Sequence, residues 1–181
     1  MLPDAELEKA INAATKTGGL IAYRVDLENG ESKDRRLWVR PQVMKLINGK
    51  SLEANQTARV KAALKRFIVR GPFTVVTAQC TRGEMTDVGD FRELKTEPPP
   101  FVELRFKPPM HELRFFGRFI GKDALVLTTV GMKSLDGKTG KRPLSVSEER
   151  QRCDEIFASL KLPLSCVPKN IRDSISNAEF A

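Results

Sequence analysis

The chain has 181 residues, 40% hydrophobic and 30% charged, with ten phenylalanines, enough apolar and aromatic content to build a core and to exclude a disordered polyampholyte. Lys and Arg outnumber Asp and Glu 31 to 23, so the formal net charge is +8 and the pI is near 9.6, which points to an anionic partner, most commonly a polyphosphate. A single histidine, His111, and three dispersed cysteines, Cys80, Cys153 and Cys166, exclude a Cys/His zinc site and a disulfide framework; neither metal nor cofactor is expected, and a reducing cytoplasm is.

In chain order, Pro3 and Asp4 open a short amphipathic helix with Leu2, Leu7 and Ile11 on one side, closed by Gly18 and Gly19. It is polar, and no apolar run reaches the roughly eighteen residues of a membrane span, so neither signal peptide nor membrane anchor is expected. Leu20 to Leu27 alternates as a strand, Asn29-Gly30 supplies a turn, and Trp38-Val39 extends a second short strand. Residues Ser51 to Val69 form the clearest helix: Ser51 is a candidate N-cap, Leu52, Val60, Leu64, Phe67 and Ile68 recur at helical spacing, and Gly71 stops it. Its other side carries Arg59, Lys61, Lys65, Arg66 and Arg70, which read equally as an ordinary solvated face and as a phosphate-contacting one.

From Phe73 the period changes to two. Phe73–Ala78, Phe91–Lys95, Phe101–Phe106, Glu112–Phe116 and Ala124–Val130 read as short strands, with turns at Pro108-Pro109 and at Gly121-Lys122-Asp123. Ser145 and Glu148 form a capping box for a helix lined by Val146, Cys153, Ile156, Phe157 and Leu160 and ended by Pro163. A short helix around Lys169 to Ser176 then leads into a C-terminus expected to fray. Helices followed by strands predict an α+β fold with a twisted antiparallel sheet and helices packed on one face. One domain over 1–181 is expected, with an N-terminal extension of helix and strand over 1–50, a core over 51–165 and a tail over 166–181.

Familiar chemistries fall away on inspection. Gly137-Lys138-Thr139 looks like the end of a phosphate-binding loop, but Gly131 is one residue too far upstream and Pro143 blocks the helix that should follow. No GxSxG is present, and the carboxylates stand among basic residues, without a partner for paired acid/base work. What remains is basic charge: Phe101 to Arg142 holds nine Lys and Arg against four Asp and Glu, a surplus of five. Within it lie His111, Arg114, Arg118, Lys122, Lys133, Lys138, Lys141 and Arg142.

The run Phe91-Arg-Glu-Leu-Lys, Phe101-Val-Glu-Leu-Arg-Phe, His111-Glu-Leu-Arg-Phe-Phe-Gly and Leu125-Val-Leu-Thr-Thr-Val-Gly-Met-Lys133, then a basic loop and the helix from Ser145, resembles the RelE/HigB superfamily of toxin-antitoxin ribonucleases. It covers roughly residues 91 to 160. The resemblance implies a RelE-like sheet with helices on one side, and cleavage of messenger RNA, usually on the ribosome, by metal-independent attack of the 2′-hydroxyl on the neighbouring phosphorus. It further implies that Arg114, matching the family's strand arginine, contacts the scissile phosphate, and that Lys133 contacts phosphate or leaving group.

His111 is a candidate acid or base because imidazole titrates near neutrality, while Arg118, Lys122, Lys138, Lys141 and Arg142 are assigned to tracking the RNA backbone. RNA and a cognate antitoxin are the implied partners, with no membrane. The chain departs from the family in three ways: its one tyrosine is Tyr23 rather than a residue near the C-terminus, the lysine turn is lengthened by Ser134 to Gly137, and the N-terminal portion is extra. Two alternatives stand beside the nuclease: a nucleic-acid-binding protein that leaves RNA intact, and a phage or mobile-element interaction module docking an acidic partner.

Overall fold

The computed structural model describes residues 4–49, 51–71, 73–76, 91–94, 101–106, 112–133, 145–163 and 170–180. In chain order the elements are α1 (Asp4–Lys16), β1 (Ile21–Ala22), β2 (Arg36–Val39), α2 (Pro41–Asn48), α3 (Ala54–Ile68), β3 (Phe73–Val76), β4 (Phe91–Leu94), β5 (Phe101–Phe106), β6 (Glu112–Gly121), β7 (Ala124–Lys133), α4 (Val146–Ser159), α5 (Ile171–Ser174) and β8 (Ala178–Phe180). The fold is α+β, built on one eight-stranded sheet of order β1-β2-β7-β6-β5-β4-β3-β8.

Strands β4 to β7 form the expected antiparallel meander. The sheet as a whole is mixed, which corrects the antiparallel expectation: β2 runs parallel to β7, and β3 parallel to both β4 and β8. Hairpin turns fix direction only where the connection is short; β2 and β8 join strands remote in sequence, and residues 77–90 separate β3 from β4, long enough to permit parallel pairing.

The expectation of helices on one face is also corrected. Alternation sends Leu113, Phe115, Phe119, Leu125 and Leu127 into a core with Val43 and Ile47 of α2 and Val60, Leu64 and Phe67 of α3. It sends Phe101, Phe116, Ile120, Ala124 and Val126 into a second core with Leu7 and Ile11 of α1 and Cys153 and Phe157 of α4. Both faces of β6 and β7 are apolar, so both need a cover, as in a strand buried on two sides. Residues 4–49 belong to this same plan, because β2 lies directly beside β7. The C-terminal segment is likewise packed rather than frayed, with Ile171 and Ile175 buried and β8 paired to β3.

Local signals explain most element ends. Ser145 caps α4, its hydroxyl accepting from the Glu148 amide at 3.4 Å. The cap of α3 is Glu53, two residues beyond Ser51, in a reciprocal box with Gln56. Unforeseen α2 begins with Pro41 at its first position, where a missing N–H costs nothing.

A bulge at Thr128 shifts the β6–β7 register between the pairs Phe116–Thr129 and Gly117–Leu127, and the Thr128 hydroxyl donates to the Phe116 carbonyl at 3.2 Å. Gly117 is required there, since a methyl group on it would overlap the carbonyl oxygen of Val126, which is backbone and cannot swing aside. Gly117→Ala is expected to destabilise the protein by about 1–3 kcal/mol, read as a lowered urea midpoint at unchanged slope.

The two halves of the chain are tied by one fully buried cation. Arg35 donates from Nε to Asp123 at 3.2 Å, and from its terminal nitrogens to the carbonyls of Phe67, Gly71 and Ser176. Its guanidinium lies over Phe67 and Phe73, 5.4 and 5.8 Å from their ring centroids. Asp123, in the β6–β7 turn at a positive φ of 57°, also accepts from the Ser176 amide at 2.8 Å and hydroxyl at 2.6 Å.

Burial pushes the Arg35 guanidinium below its ordinary value, against the pull of Asp123. For Asp123, burial alone would raise the carboxyl, but the Ser176 hydrogen bonds and the Arg35 charge outweigh it and hold it below the usual carboxylate value. A depressed carboxyl stabilises the fold above its unfolded pKa, near 4, and that contribution disappears as pH falls through the folded value. The stability gap between wild type and Asp123→Asn should therefore be constant near neutrality and shrink below about pH 4, as denaturant melts at a series of pH values can show.

Candidate nucleic-acid interface

On the sheet face covered by α1 and α4, the two Glu-Leu-Arg tripeptides of the sequence meet. In the β5–β6 pairing Arg105 stands directly opposite Arg114, and Glu103 opposite Phe116. Glu103 is fully buried and takes both guanidiniums: Arg105 Nε lies 3.1 Å from its Oε2, and Arg114 is bonded to its Oε1. The Arg105 and Arg114 side chains retain 12% and 8% exposure, so each touches solvent with only a sliver of surface. Like charges directly opposite on neighbouring strands repel, and here the Glu103 carboxylate binds both cations in a poorly solvated place.

Further along the same face Arg118 is buried completely, donates to Asp154 of α4 at 2.6 Å, and lies 5.5 Å from the Phe101 ring centroid. Arg150, one turn before Asp154, approaches that carboxylate at 3.8 Å. These pairs join four arginines, 105, 114, 118 and 150, to the carboxylates of Glu103 and Asp154 under and beside α4. Cys153, packed next to Asp154, has its thiol pushed up to about 11 by burial, so it is a core residue and not a nucleophile.

The sequence-predicted residues divide accordingly. Arg114 lies on the face covered by α1 and α4, as a buried ion-pair partner of Glu103 and not as an open phosphate ligand. Arg118 is removed from the RNA-tracking set, because its charge is spent anchoring α4 to the sheet. Lys122 is exposed but occupies the β6–β7 turn, eight residues along the chain from Arg114, on the order of 27 Å at strand rise. Lys133 ends β7 opposite Glu112, two pairs beyond Arg114–Gly131, and only its backbone is described. His111, Lys138, Lys141 and Arg142 lie outside the described residues.

Sequence reasoning missed Glu103 and Arg105 as site residues, although the repeated Glu-Leu-Arg was a signal for both. Tyr23, the one tyrosine, is buried on the opposite face of the sheet among residues of the α2/α3 core, and burial raises its phenol. Among the described residues no group of three or more His, Cys, Asp and Glu is placed to hold a metal ion. No described helix is long and apolar enough to cross a membrane. No protein-family model, curated protein or solved structure matches this chain.

Proposed function

We propose that the protein binds RNA at the sheet face beside α4 and, as a toxin-like endoribonuclease of the RelE/HigB type, cleaves messenger RNA there, on the ribosome and without a metal. The observation that carries this reading is the pairing of Arg105 with Arg114 across β5 and β6, both bound to the one buried carboxylate of Glu103. Such an arrangement is costly for stability alone, since like charges opposed on a sheet and removed from water repel. It suits phosphoryl transfer, in which negative charge accumulates on the non-bridging oxygens and fixed guanidiniums in a dry site stabilise it more than they do the ground state.

The 2′-hydroxyl gives up its proton to solvent as its oxygen attacks phosphorus, the bond to the 5′-oxygen breaks, and that oxygen takes up a proton. The products are a 2′,3′-cyclic phosphate and a free 5′-hydroxyl. Exposed Arg59, Lys61 and Arg70 on and after α3, with Lys122, add the long-range field that draws a polyanion in.

The burial of Arg114 favours a second reading, RNA binding without cleavage, because a phosphate reaching that guanidinium has to compete with Glu103. One assay separates the two: the full chain incubated with messenger RNA, with and without ribosomes and with and without chelator, and the RNA ends mapped. The nuclease reading expects chelator-resistant cuts ending in 2′,3′-cyclic phosphate and lost in Lys133→Ala. Intact RNA that is nonetheless bound, with affinity falling steeply in salt, leaves the binder alone standing.

A further inference from the structure

We propose that the pocket between α1 and β2 is a binding site for a guanine base, which stacks on Trp38 and is read by Glu8 and Arg36. The pocket is separate from the arginine pair of β5 and β6, so the inference stands whether or not RNA is bound or cut there.

Arg36 and Trp38, two residues apart on β2, share the sheet face that carries the second core, and Trp38 pairs with Val126 of β7. Leu7 and Ile11 of α1 are buried against the same face. Between α1 and β2 is a hollow of about 190 Å³ with a floor of buried Leu7, Ile11 and Ile120 and a wall formed by the half-buried indole of Trp38. An apolar cavity of about 150 Å³ takes up benzene, so this one has room for a somewhat larger planar ring system.

At the mouth Arg36 Nη1 donates to Glu8 Oε1 at 3.3 Å, with the arginine side chain 48% and the glutamate side chain 61% exposed. The Arg36 guanidinium also lies 5.6 Å from the Trp38 ring centroid. Asn12, one helical turn after Glu8, adds a neutral carboxamide to the same rim.

The lining chooses the ligand. Its charged residues are one anion and one cation, already paired, so nothing in it draws a phosphate in, and the Glu8 carboxylate repels one. A flat indole beside an apolar floor suits a neutral aromatic ring, and every nucleobase has a π-face to stack. The two polar groups narrow the choice. A carboxylate takes two parallel N–H donors, and a guanidinium takes two adjacent acceptors. Guanine alone among the four RNA bases carries both, N1–H with the 2-amino group along one edge and O6 with N7 along the next. Adenine and cytosine offer the carboxylate one amino group beside an acceptor, and uracil offers a single N–H between two carbonyls. An exposed ion pair contributes little to stability, so a base that gives each member its own partner displaces it readily.

Trp38 is the one tryptophan of the chain, so its fluorescence reports this pocket directly. The probes are the four nucleoside 5′-monophosphates, which carry the same phosphate and differ in the base, titrated into the full-length protein with excitation on the red edge of the indole band. We expect saturable quenching by guanosine monophosphate, with a dissociation constant roughly tenfold below those of the other three. Inosine monophosphate, which lacks the 2-amino group, should bind several-fold more weakly than the guanosine form. Glu8→Gln, an exposed change, should weaken guanosine monophosphate roughly tenfold and erase its advantage over inosine monophosphate, a coupling that loss of packing does not produce.

Tighter binding of an oligouridylate with one central guanosine would place the base in a strand, and tighter binding of the free nucleotide would make the ligand a mononucleotide; either supports the assignment. Quenching that does not saturate, equal affinity for all four monophosphates, or an unchanged preference in Glu8→Gln would overturn it. Tighter binding of p-cresol, which mimics a tyrosine side chain, would also overturn it and give the pocket to an aromatic residue of a partner protein.

Discussion

Arg35→Leu is expected to cost about 3–5 kcal/mol of folding stability, because removing one member of a buried ion pair strands the other. Three backbone carbonyls and the Asp123 carboxylate converge on that guanidinium from α3, its C-terminal exit, the β6–β7 turn and the C-terminal segment. Losing it leaves all of them poorly solvated and releases two cation–aromatic contacts, with Phe67 and Phe73. In a chain of this length the melting temperature should fall by roughly 6–20 °C. Arg35→Lys should recover only part of this, since an ammonium cannot reproduce the planar fork that spans the four acceptors. A loss below about 1 kcal/mol in Arg35→Leu, measured by urea melts, would show that the lock is ornamental.

Glu103→Gln is the second large effect, again about 3–5 kcal/mol, for the opposite electrostatic reason. It removes the negative charge that separates Arg105 from Arg114 and leaves two opposed guanidiniums at low exposure. Two further measurements distinguish this from simple loss of packing. Adding Arg105→Met to Glu103→Gln should restore part of the lost stability, a coupling that a double-mutant cycle reports. Inorganic phosphate in the buffer should raise the midpoint of Glu103→Gln more than that of wild type, because a bound anion can supply the negative charge the two guanidiniums have lost. A single-mutant cost within about 0.5 kcal/mol of zero, typical of surface sites, contradicts the geometry.

Much of the architecture was legible because it rests on local periodicity. The meander from Phe101 to Val130 follows from alternation and the turn at Gly121-Lys122-Asp123, with Pro108-Pro109 outside the described residues, and α4 follows from Ser145 and Glu148. What stayed hidden is non-local. Nothing in Arg36-Leu-Trp-Val says that it will run parallel to β7, eighty-odd residues away. Ala178-Glu-Phe is too short to show a period, and Pro41 reads as a break until its position at a helix start is known.

The charged residues divide for the same reason. Arg35 sits in the run Lys33-Asp34-Arg35-Arg36, which looks like a solvated loop, and only the tertiary fold buries it. Arg114 and Arg118 carried a usable signal that the basic-patch argument overrode: both share strand parity with Phe116 and Ile120, hence the face that packs against α1 and α4. Read that way, they are inward cations needing carboxylates, and Glu103 and Asp154 supply them.

The most direct measurement is the affinity of the protein for a fluorescein-labelled, unstructured twenty-nucleotide RNA as a function of salt, for wild type and Arg105→Gln. If the arginine pair engages a phosphate, Arg105→Gln weakens binding and lowers the slope of log affinity against log salt by about one, with the melting temperature nearly unchanged. Equal affinity and equal slope for the two proteins would make the cluster a structural ion pair and take the RNA site away from this face.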